Sequence, residues 1–424
     1  MDWRRREADK GSPAREQCDS RSQFGCDKII PRQLHHSWKS RAGRRHEKRK
    51  FKNLNNKELS IMKYKIQQLL EETLREELQR YECIKNRQTS CPVPPNHIYV
   101  EPTNKCFLKC VMCTDKEIRG KPGEMSFSLW KKIVDSIAKY KVKSPINIIG
   151  RGEPLMNRNL PKFVEYATSK GLETAIISNG VMLDKKYATA LLKAGINKIQ
   201  FSIHAFSRET YFKITGVDVY DKVKKNLLDL LKLNKKFGGK CYINVMSVES
   251  HINKHESAAF LKYWTPRVDR AFVTPIYSIQ GESKMAKESI KSIEQKSGVK
   301  IGKSKHKGCA YPWFFLSYRQ DGTINPCPYD FKTFFNIGNA NDRDYDLMKV
   351  WNSKEMQKFR QNHLDGEYSY CKSVNYTCEE CEVPLALHTY KGLDQYVNDF
   401  HIVFSREYAS ILKMAAVSEG DTRN

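Results

Sequence analysis

Short apolar runs alternate with amphipathic stretches along residues 97–275 of this chain. Six runs have the length and the β-branched content of strands, and the five stretches between them carry apolar residues at helical spacing. Strands that alternate with helices favour a parallel sheet with helical crossovers. The predicted strands are 97–100, 146–149, 174–178, 198–203, 242–248 and 271–275, and the predicted helices are 127–140, 160–171, 185–195, 221–238 and 254–264.

The number of strands decides the architecture. Six strands are fewer than the eight that close a full barrel, so the pattern predicts an α/β fold with an open, partial (β/α)6 barrel. In sheets of this kind the chemistry lies on the loops that follow the carboxyl ends of the strands. Candidate site residues are therefore expected directly after each strand.

The sequence on either side of the predicted barrel has a different character. Residues 1–55 are polar, charged and without periodicity, which predicts a disordered basic arm. Residues 56–84 carry apolar side chains at helical spacing, which predicts a helix leading into the folded part. The predicted organisation is a basic arm (1–55), a helical lead-in (56–96), the barrel (97–300), a small cysteine-rich domain (301–385) and a C-terminal helical tail (386–424).

Length, composition and charge bound the class of protein. The chain has 424 residues, of which 40% are hydrophobic, so it is long enough for two or three domains. Its formal net charge is +26, and residues 1–60 contribute 17 Lys or Arg against 8 Asp or Glu. Such an arm binds RNA or another polyanion, or remains a solvated tail. No apolar run approaches the roughly 20 residues of a membrane span and no signal peptide is visible, so a cytoplasmic protein is expected.

Three cysteines lie on the loop directly after the first predicted strand. Cys106, Cys110 and Cys113 belong to a total of 13 cysteines, which in a reducing compartment are more often metal ligands or catalytic groups than disulfides. A structural zinc site needs a fourth ligand from elsewhere in the chain. A four-iron cubane held by three thiolates keeps one iron open for a ligand.

The C-x3-C-x2-C spacing after a strand resembles the signature of the radical S-adenosylmethionine (SAM) enzymes, with Met112 at a position that is usually aromatic. The sequences that follow the next strands, "GRGEP" from Gly150 and "SNG" from Ser178, resemble further motifs of that family. The resemblance implies a [4Fe-4S] cluster whose open iron is chelated by SAM, and a 5′-deoxyadenosyl radical that abstracts hydrogen from a substrate. It implies cofactor contacts by Gly150, Gly152, Glu153, Ser178, Asn179 and Ser202.

A second group of cysteines follows the predicted barrel. Together with the "IGN" and "VWNS" segments, these cysteines resemble the SPASM or twitch extension of radical SAM enzymes. The resemblance implies one auxiliary [4Fe-4S] cluster, and Cys371 is left as a substitute ligand or a catalytic donor of a hydrogen atom. A zinc ribbon is the alternative for the same thiols. The implied ligands of the auxiliary cluster are Cys309, Cys327, Cys378 and Cys381.

The fate of the substrate radical stays open at the level of sequence. Oxidation through the auxiliary cluster, epimerisation by a hydrogen donor such as Cys371 or Cys241, and thioether formation all fit the resemblance. A single auxiliary cluster favours oxidation or epimerisation of a small molecule or carbohydrate, with a peptide or protein maturase as the alternative. A reducing partner such as flavodoxin or ferredoxin is implied, and Arg151, Tyr318 and Arg319 are polar candidates for the pocket or the surface. A zinc- and RNA-binding protein is the alternative of another class.

Overall fold

The computed structural model of this protein describes most of the barrel region and most of the cysteine-rich region. The predicted basic arm, most of the lead-in, the C-terminal tail and the cysteines Cys371 and Cys381 lie outside the described residues. Among the described residues, no helix combines the length and the apolar character that crossing a membrane requires. The described residues are 75–113, 120–276, 288, 308–330, 333–368 and 378.

The described residues form one sheet of nine strands. All six strands predicted for the barrel are present and parallel to their neighbours, with end points within one residue of the prediction. The order in the sheet is β6-β5-β4-β3-β2-β1-β7-β8-β9. The strands are β1 (His97–Val100), β2 (Ile146–Ile148), β3 (Thr174–Ser178), β4 (Lys198–Ser202), β5 (Tyr242–Glu249), β6 (Arg270–Pro275), β7 (Phe315–Tyr318), β8 (Thr323–Asn325) and β9 (Gly338–Asn339).

Helices fill the gaps between the strands. The five predicted crossover helices are confirmed, and α5 is an additional helix that the sequence did not predict. The last predicted helix begins as the short 3-10 turn Lys254–Glu256 before it becomes α7. The helices are α1 (residues 75–85), α2 (Phe127–Lys139), α3 (Leu160–Ser169), α4 (Lys185–Ala194), α5 (Arg208–Thr215), α6 (Tyr220–Lys236), α7 (Ser257–Trp264), α8 (Leu347–Trp351) and α9 (Lys354–Asp365).

Local sequence explains where several helices begin and end. Side chains such as those of Ser126 and Asp184 accept backbone N–H groups in the first turns of α2 and α4. These bonds satisfy donors that have no partner within the helix. Gly195 and Gly216 end α4 and α5 in the left-handed conformation, which only glycine adopts without steric cost. The crossover helices bury one apolar face, as Leu129, Trp130, Ile133, Val134 and Ile137 of α2 do.

The cysteine-rich region continues the barrel sheet. Strand β7 pairs in parallel with β1, in the register His97 to Phe315 through Val100 to Tyr318. Strands β8 and β9 then add in antiparallel orientation. The position of β7 beside β1 was not predicted, and it brings the loop after β7 next to the loops after β1 and β2.

Candidate functional site

The three cysteines of the first group lie on the loop that follows β1, at the carboxyl edge of the parallel sheet. Cys106, Cys110 and Cys113 are all half-buried, and the first two pack against the hydrophobic core. None of the three forms a disulfide. Within the described residues, no three His, Cys, Asp or Glu side chains are grouped as ligands of a single metal ion.

Backbone hydrogen bonds hold this cysteine loop on two sides. The Glu153 N–H donates to the carbonyl of Lys105 at 2.7 Å, which ties the loop to the segment after β2. The N–H groups of Lys109 and Val111 donate to the carbonyls of Thr215 and Ile214 at 2.9 and 2.8 Å. The cysteine loop is therefore fixed between the "GRGEP" segment and the end of α5.

Gly150 and Gly152 allow the "GRGEP" segment to pack against β1 and the cysteine loop. A Cβ atom on Gly152 would lie 2.3 Å from the carbonyl oxygen of Thr103, and one on Gly150 would lie 2.3 Å from the Glu101 side chain. Real side chains do not approach so closely, so packing by itself requires glycine at both positions. The predicted contact of these glycines with a cofactor stays a prediction.

The carboxylate of Glu153 connects the ends of two neighbouring strands. Its Oε1 accepts hydrogen bonds from the Ser178 hydroxyl at 2.6 Å and from the Leu155 N–H at 3.1 Å, and its Oε2 accepts from the Asn179 N–H at 2.8 Å. The side chain is only 3% exposed. The structure thus brings together Glu153, Ser178 and Asn179, which the sequence analysis had selected from separate motifs.

The electrostatics of Glu153 suit a cationic ligand. Burial raises the pKa of this carboxyl, and the hydrogen bonds from Ser178, Asn179 and Leu155 act in the opposite direction. An ionised carboxylate has about four acceptor positions, and these bonds use three. The remaining acceptor capacity and the negative charge fit the ammonium group of an amino-acid ligand such as the methionine part of SAM.

Two polar residues lie at the carboxyl end of β4, at the same edge of the sheet. Ser202 is the last residue of the strand and is half-buried. The Nδ1 atom of His204 accepts the Val248 N–H at 3.1 Å, and burial lowers the pKa of this imidazole to about 4. His204 is therefore a neutral packed histidine, which the sequence analysis did not place among the site residues.

A buried network of charged groups lies beside the cysteine loop, and the sequence analysis missed half of it. Glu101, the residue after β1, accepts from the Arg151 backbone N–H at 2.7 Å and from its guanidinium at 2.9 and 3.0 Å. Arg319, the residue after β7, lies 3.7 Å from the same carboxylate and donates to the carbonyl of Asp330. The sequence did contain a signal for this network, because Glu101 and Arg319 are charged residues directly after strands that pair with each other.

Arg151, Tyr318 and Arg319 were candidates for the pocket or the surface, and their burial argues against the surface alternative. Both arginines and Tyr318 are less than 9% exposed. The hydroxyl groups of Tyr318 and Tyr345 form a 2.8 Å hydrogen bond. Arg151, Tyr318 and Arg319 are therefore buried residues that hold neighbouring segments of the site together.

Cys241 and Cys378 are two further candidates, and the structure describes the surroundings of both. Cys241 precedes β5, at the opposite edge of the parallel sheet from the cysteine loop, and it is buried, which argues against the suggested role as a hydrogen donor at the cysteine loop. Cys378 is buried beside Tyr368, Phe334 and Phe335.

The described part of the second cysteine group brackets a hairpin. Cys309 precedes β7 and Cys327 follows β8, and these strands pair antiparallel to each other. Both thiols are half-buried and neither forms a disulfide. Asp330, three residues after Cys327, links this hairpin to Arg319 and so to the ion network. The thiol donor sets of both groups have the chemistry that iron–sulfur clusters require.

Comparisons with known proteins define the class. Residues 100–251 match the model of the Radical SAM superfamily, and residues 309–382 match the SPASM model, an iron-sulfur cluster-binding domain. The chain belongs to the radical SAM family and carries a SPASM-type domain. The two domains imply SAM and a [4Fe-4S] cluster in the barrel, and auxiliary iron–sulfur binding in the C-terminal domain.

The individual relatives are distant. The chain is 29% identical to the Fe-coproporphyrin III synthase of Methanosarcina barkeri over 47% of this chain and 48% of that protein. It is 24% identical to the AdoMet-dependent heme synthase of the same organism, over 66% and 88%. The solved structure of Streptococcus suis SuiB bound to precursor peptide SuiA shares the fold, with 17% identity, a TM-score of 0.51 and coverage of 74% and 77%. The chain spans about half the length of the first curated relatives that it matches.

Proposed function

We propose that this chain is an enzyme that reductively cleaves SAM and abstracts a hydrogen atom from a small-molecule or carbohydrate substrate, which is oxidised or epimerised. The observation that carries the proposal is the position of Glu153. Its buried carboxylate accepts hydrogen bonds from the Ser178 hydroxyl and the Asn179 N–H, and its backbone N–H donates to the cysteine loop. This arrangement supports an ammonium-binding position beside the loop that carries the three thiols.

Each of the site residues has a separate role in binding the cluster or SAM. Cys106, Cys110 and Cys113 hold the cluster, and Glu153 accepts the ammonium of SAM. When bound, the cluster and SAM supply a 5′-deoxyadenosyl radical that abstracts hydrogen from the substrate. Ser178 and the backbone of Asn179 keep the Glu153 carboxylate oriented, because each donates to one of its oxygens. Further contacts to the cofactor are assigned to Gly150, Gly152, Asn179 and Ser202.

The C-terminal domain is assigned to the fate of the substrate. Cys309, Cys327, Cys378 and Cys381 hold one auxiliary [4Fe-4S] cluster, and four thiolates leave no open iron, which suits electron transfer. Cys371 is the candidate for returning a hydrogen atom in an epimerisation. The buried Glu101–Arg151–Arg319 contacts support a rigid connection between the two cysteine groups, since they join β1, β2 and β7.

The relatives support the choice of substrate class in part. The relative with 88% coverage is named a heme synthase, so its product is a small molecule. A peptide substrate is the second candidate, because the neighbour with the TM-score of 0.51 was solved with a precursor peptide. Anaerobically purified protein can be incubated with deuterium-labelled substrates of both classes, small molecules and peptides. Deuterium transfer from the labelled substrate into 5′-deoxyadenosine identifies the substrate class that reacts.

The first experiment replaces Glu153 by Gln. The variant keeps the side-chain size but removes the charge that meets the ammonium, and hydrogen bonds to charged groups contribute about 1.5–3 kcal/mol. We expect SAM binding, measured by equilibrium dialysis on the reconstituted protein, to weaken by about 10- to 100-fold. Glu165→Gln on the exposed face of α3 is the matched control. Equal SAM affinity in both variants contradicts the proposed role of Glu153.

The second experiment counts iron and acid-labile sulfide. Two cubanes predict about eight irons per chain, whereas the zinc- and RNA-binding alternative predicts zinc and no sulfide. We expect Cys106→Ala and Cys327→Ala each to lower the count to about four. Only Cys106→Ala is expected to abolish the formation of 5′-deoxyadenosine with dithionite. Loss of cleavage in both variants, with the fold intact by circular dichroism, contradicts the separate roles.

A further inference from the structure

A small apolar cluster, separate from the main core, lies beside the second cysteine group. Its buried members are Tyr368 and Cys378, and the rings of Phe334 and Phe335 pack against them. Tyr368 is 5% exposed and brings a hydroxyl group into these apolar surroundings. A buried tyrosine usually directs its hydroxyl to a hydrogen-bonding partner. The partner of this hydroxyl therefore shows which segment Tyr368 holds.

The partner is the segment that carries Cys309. The Gly308 N–H donates to the Tyr368 hydroxyl oxygen at 2.7 Å. Gly308 directly precedes Cys309, and its φ of +87° lies in the left-handed region that favours glycine. The hydrogen bond therefore fixes the backbone at the residue where the chain turns into Cys309.

Tyr368 thus contacts two segments that are far apart in sequence. Its ring packs against Cys378, and its hydroxyl accepts from the residue before Cys309. A cluster with several thiolate ligands needs these ligands at fixed distances from one another, and residues behind the ligands keep them there. Tyr368 is placed to do so for two ligands together.

Helix α9 determines the position of Tyr368. The ring of His363, in the last turn of this helix, meets the Tyr368 ring edge to face with centroids 5.4 Å apart. The Nε atom of Arg360, on the same helix, donates to the carbonyl of Pro312 at 3.0 Å. Pro312 lies three residues after Cys309, so α9 and its C-terminal extension hold this segment at two points.

We propose that Tyr368 is a positioning residue of the auxiliary iron–sulfur centre, where it holds Cys309 and Cys378 in one donor set. This role rests on the proposed function, which assigns both thiols to one cluster. In Tyr368→Phe the ring and its packing remain, but the Gly308 N–H loses its acceptor. The Cys309 thiolate is then held less firmly, so the cluster loses iron faster and the surroundings of its irons become less uniform.

The test uses full-length Cys106→Ala protein, because about four irons are then expected from the auxiliary centre alone. In this background Tyr368→Phe is compared with Tyr187→Phe. Tyr187 is the matched control, since its buried hydroxyl donates to the carbonyl of Asn157 at 2.9 Å in the barrel. Gly308→Ala is a second variant that disturbs the same hydrogen bond, because alanine is strained at this φ.

Iron release to a chelator, followed by absorbance, is the first measurement. We expect release about threefold to tenfold faster in Tyr368→Phe and in Gly308→Ala, the range that the loss of one net hydrogen bond explains. The electron paramagnetic resonance spectrum of the reduced cluster is the second measurement. Its g-values or line widths are expected to change in both variants, which a loss of stability elsewhere in the fold does not cause. Tyr187→Phe is expected to keep the parental release rate and spectrum.

The outcomes separate the positioning role from the proposed function. A parental release rate and a parental spectrum in both Tyr368→Phe and Gly308→Ala overturn the positioning role, while the auxiliary cluster stands. Equal acceleration in Tyr187→Phe also overturns it, because a general loss of stability then explains the release. If Cys106→Ala protein binds zinc or no metal, the auxiliary cluster and the role of Tyr368 in it are overturned together.

Discussion

The half-buried His97 shows how this fold shifts the pKa of a single residue. His97 on β1 stacks on Phe315 with ring centroids 4.5 Å apart, and burial, followed by the nearby Arg80, lowers its pKa to about 4. A folded-state pKa below the ordinary value of 6.5 means that the unfolded chain binds the proton more readily. The stability contribution of the neutral imidazole is therefore present above pH 6.5 and is lost as the pH falls towards 4.

Replacing His97 by Phe tests this residue-scale argument. The phenyl ring keeps the stacking on Phe315 but cannot be protonated, so the variant is expected to lose less stability on acidification than the parent does. The difference at pH 5 is expected to be about 1–2 kcal/mol, since one pKa unit corresponds to about 1.4 kcal/mol. Unfolding in urea at pH 7.5 and pH 5 measures it. His255→Asn at an exposed position is the control, and parallel acid losses in parent and His97→Phe contradict the argument.

The secondary-structure elements followed from local sequence wherever their periodicity was strong. All six strands and all five long crossover helices were predictable, because each buries a regular apolar face. Helix α5 was not, since its eight residues include two threonines and an exposed Phe212. Tertiary contacts compensate for this weak signal, because the carbonyls of Ile214 and Thr215 accept N–H groups from the cysteine loop.

One junction between elements depends on a side chain that pairs with both backbone groups of one residue, as a neighbouring strand would. The carboxamide of Asn352, at the end of α8, accepts the Cys91 N–H at 2.8 Å and donates to the Cys91 carbonyl at 3.0 Å. The Trp351 indole donates to the carbonyl of Val93 at 2.9 Å. These bonds fasten the segment before β1 to the C-terminal helices, so residues far apart in sequence form one junction.

Asn352→Ala is expected to release this junction. The Cys91 backbone groups lose both partners, and a buried polar group without its hydrogen bond costs about 1–3 kcal/mol. We expect the free energy of unfolding to fall by that amount and the amide of Cys91 to exchange faster with deuterium. Gln361→Ala, at an exposed position of α9, serves as the control. Unchanged protection of Cys91 would show that the carboxamide is dispensable.

At the scale of the whole molecule, buried charge joins the two cysteine groups. Glu101 follows β1 and lies five residues before Cys106, whereas Asp330 lies three residues after Cys327. Arg151, after β2, and Arg319, after β7, both contact Glu101, and Arg319 also donates to the backbone carbonyl of Asp330. The parallel pairing of β7 with β1 makes this network possible, because it brings the ends of both strands to one edge.

Glu101→Gln tests the network. The substitution leaves two buried guanidinium groups without their carboxylate, and breaking a buried ion pair from one side costs about 3–5 kcal/mol. We expect a loss of this size in urea unfolding, and a loss smaller than the sum of the two single variants in the double variant Glu101→Gln with Arg151→Met, where only the Arg319 guanidinium has lost the carboxylate. Asp218→Asn at the exposed Arg208 pair is the control and should cost less than about 1 kcal/mol. An additive double variant contradicts the coupling.

The sequence by itself determined the α/β class, the order of the barrel elements, the family and the loop that carries Cys106, Cys110 and Cys113. These depend on periodicity and spacing, which are local properties of the chain. The pairing of β7 with β1, the contacts of Glu153 with Ser178 and Asn179, and the pairing of Glu101 with Arg151 and Arg319 became known from the folded structure. The physical reason is that strand order and the contacts of buried polar groups depend on which distant segments pack together, and a single sequence carries no direct record of that choice.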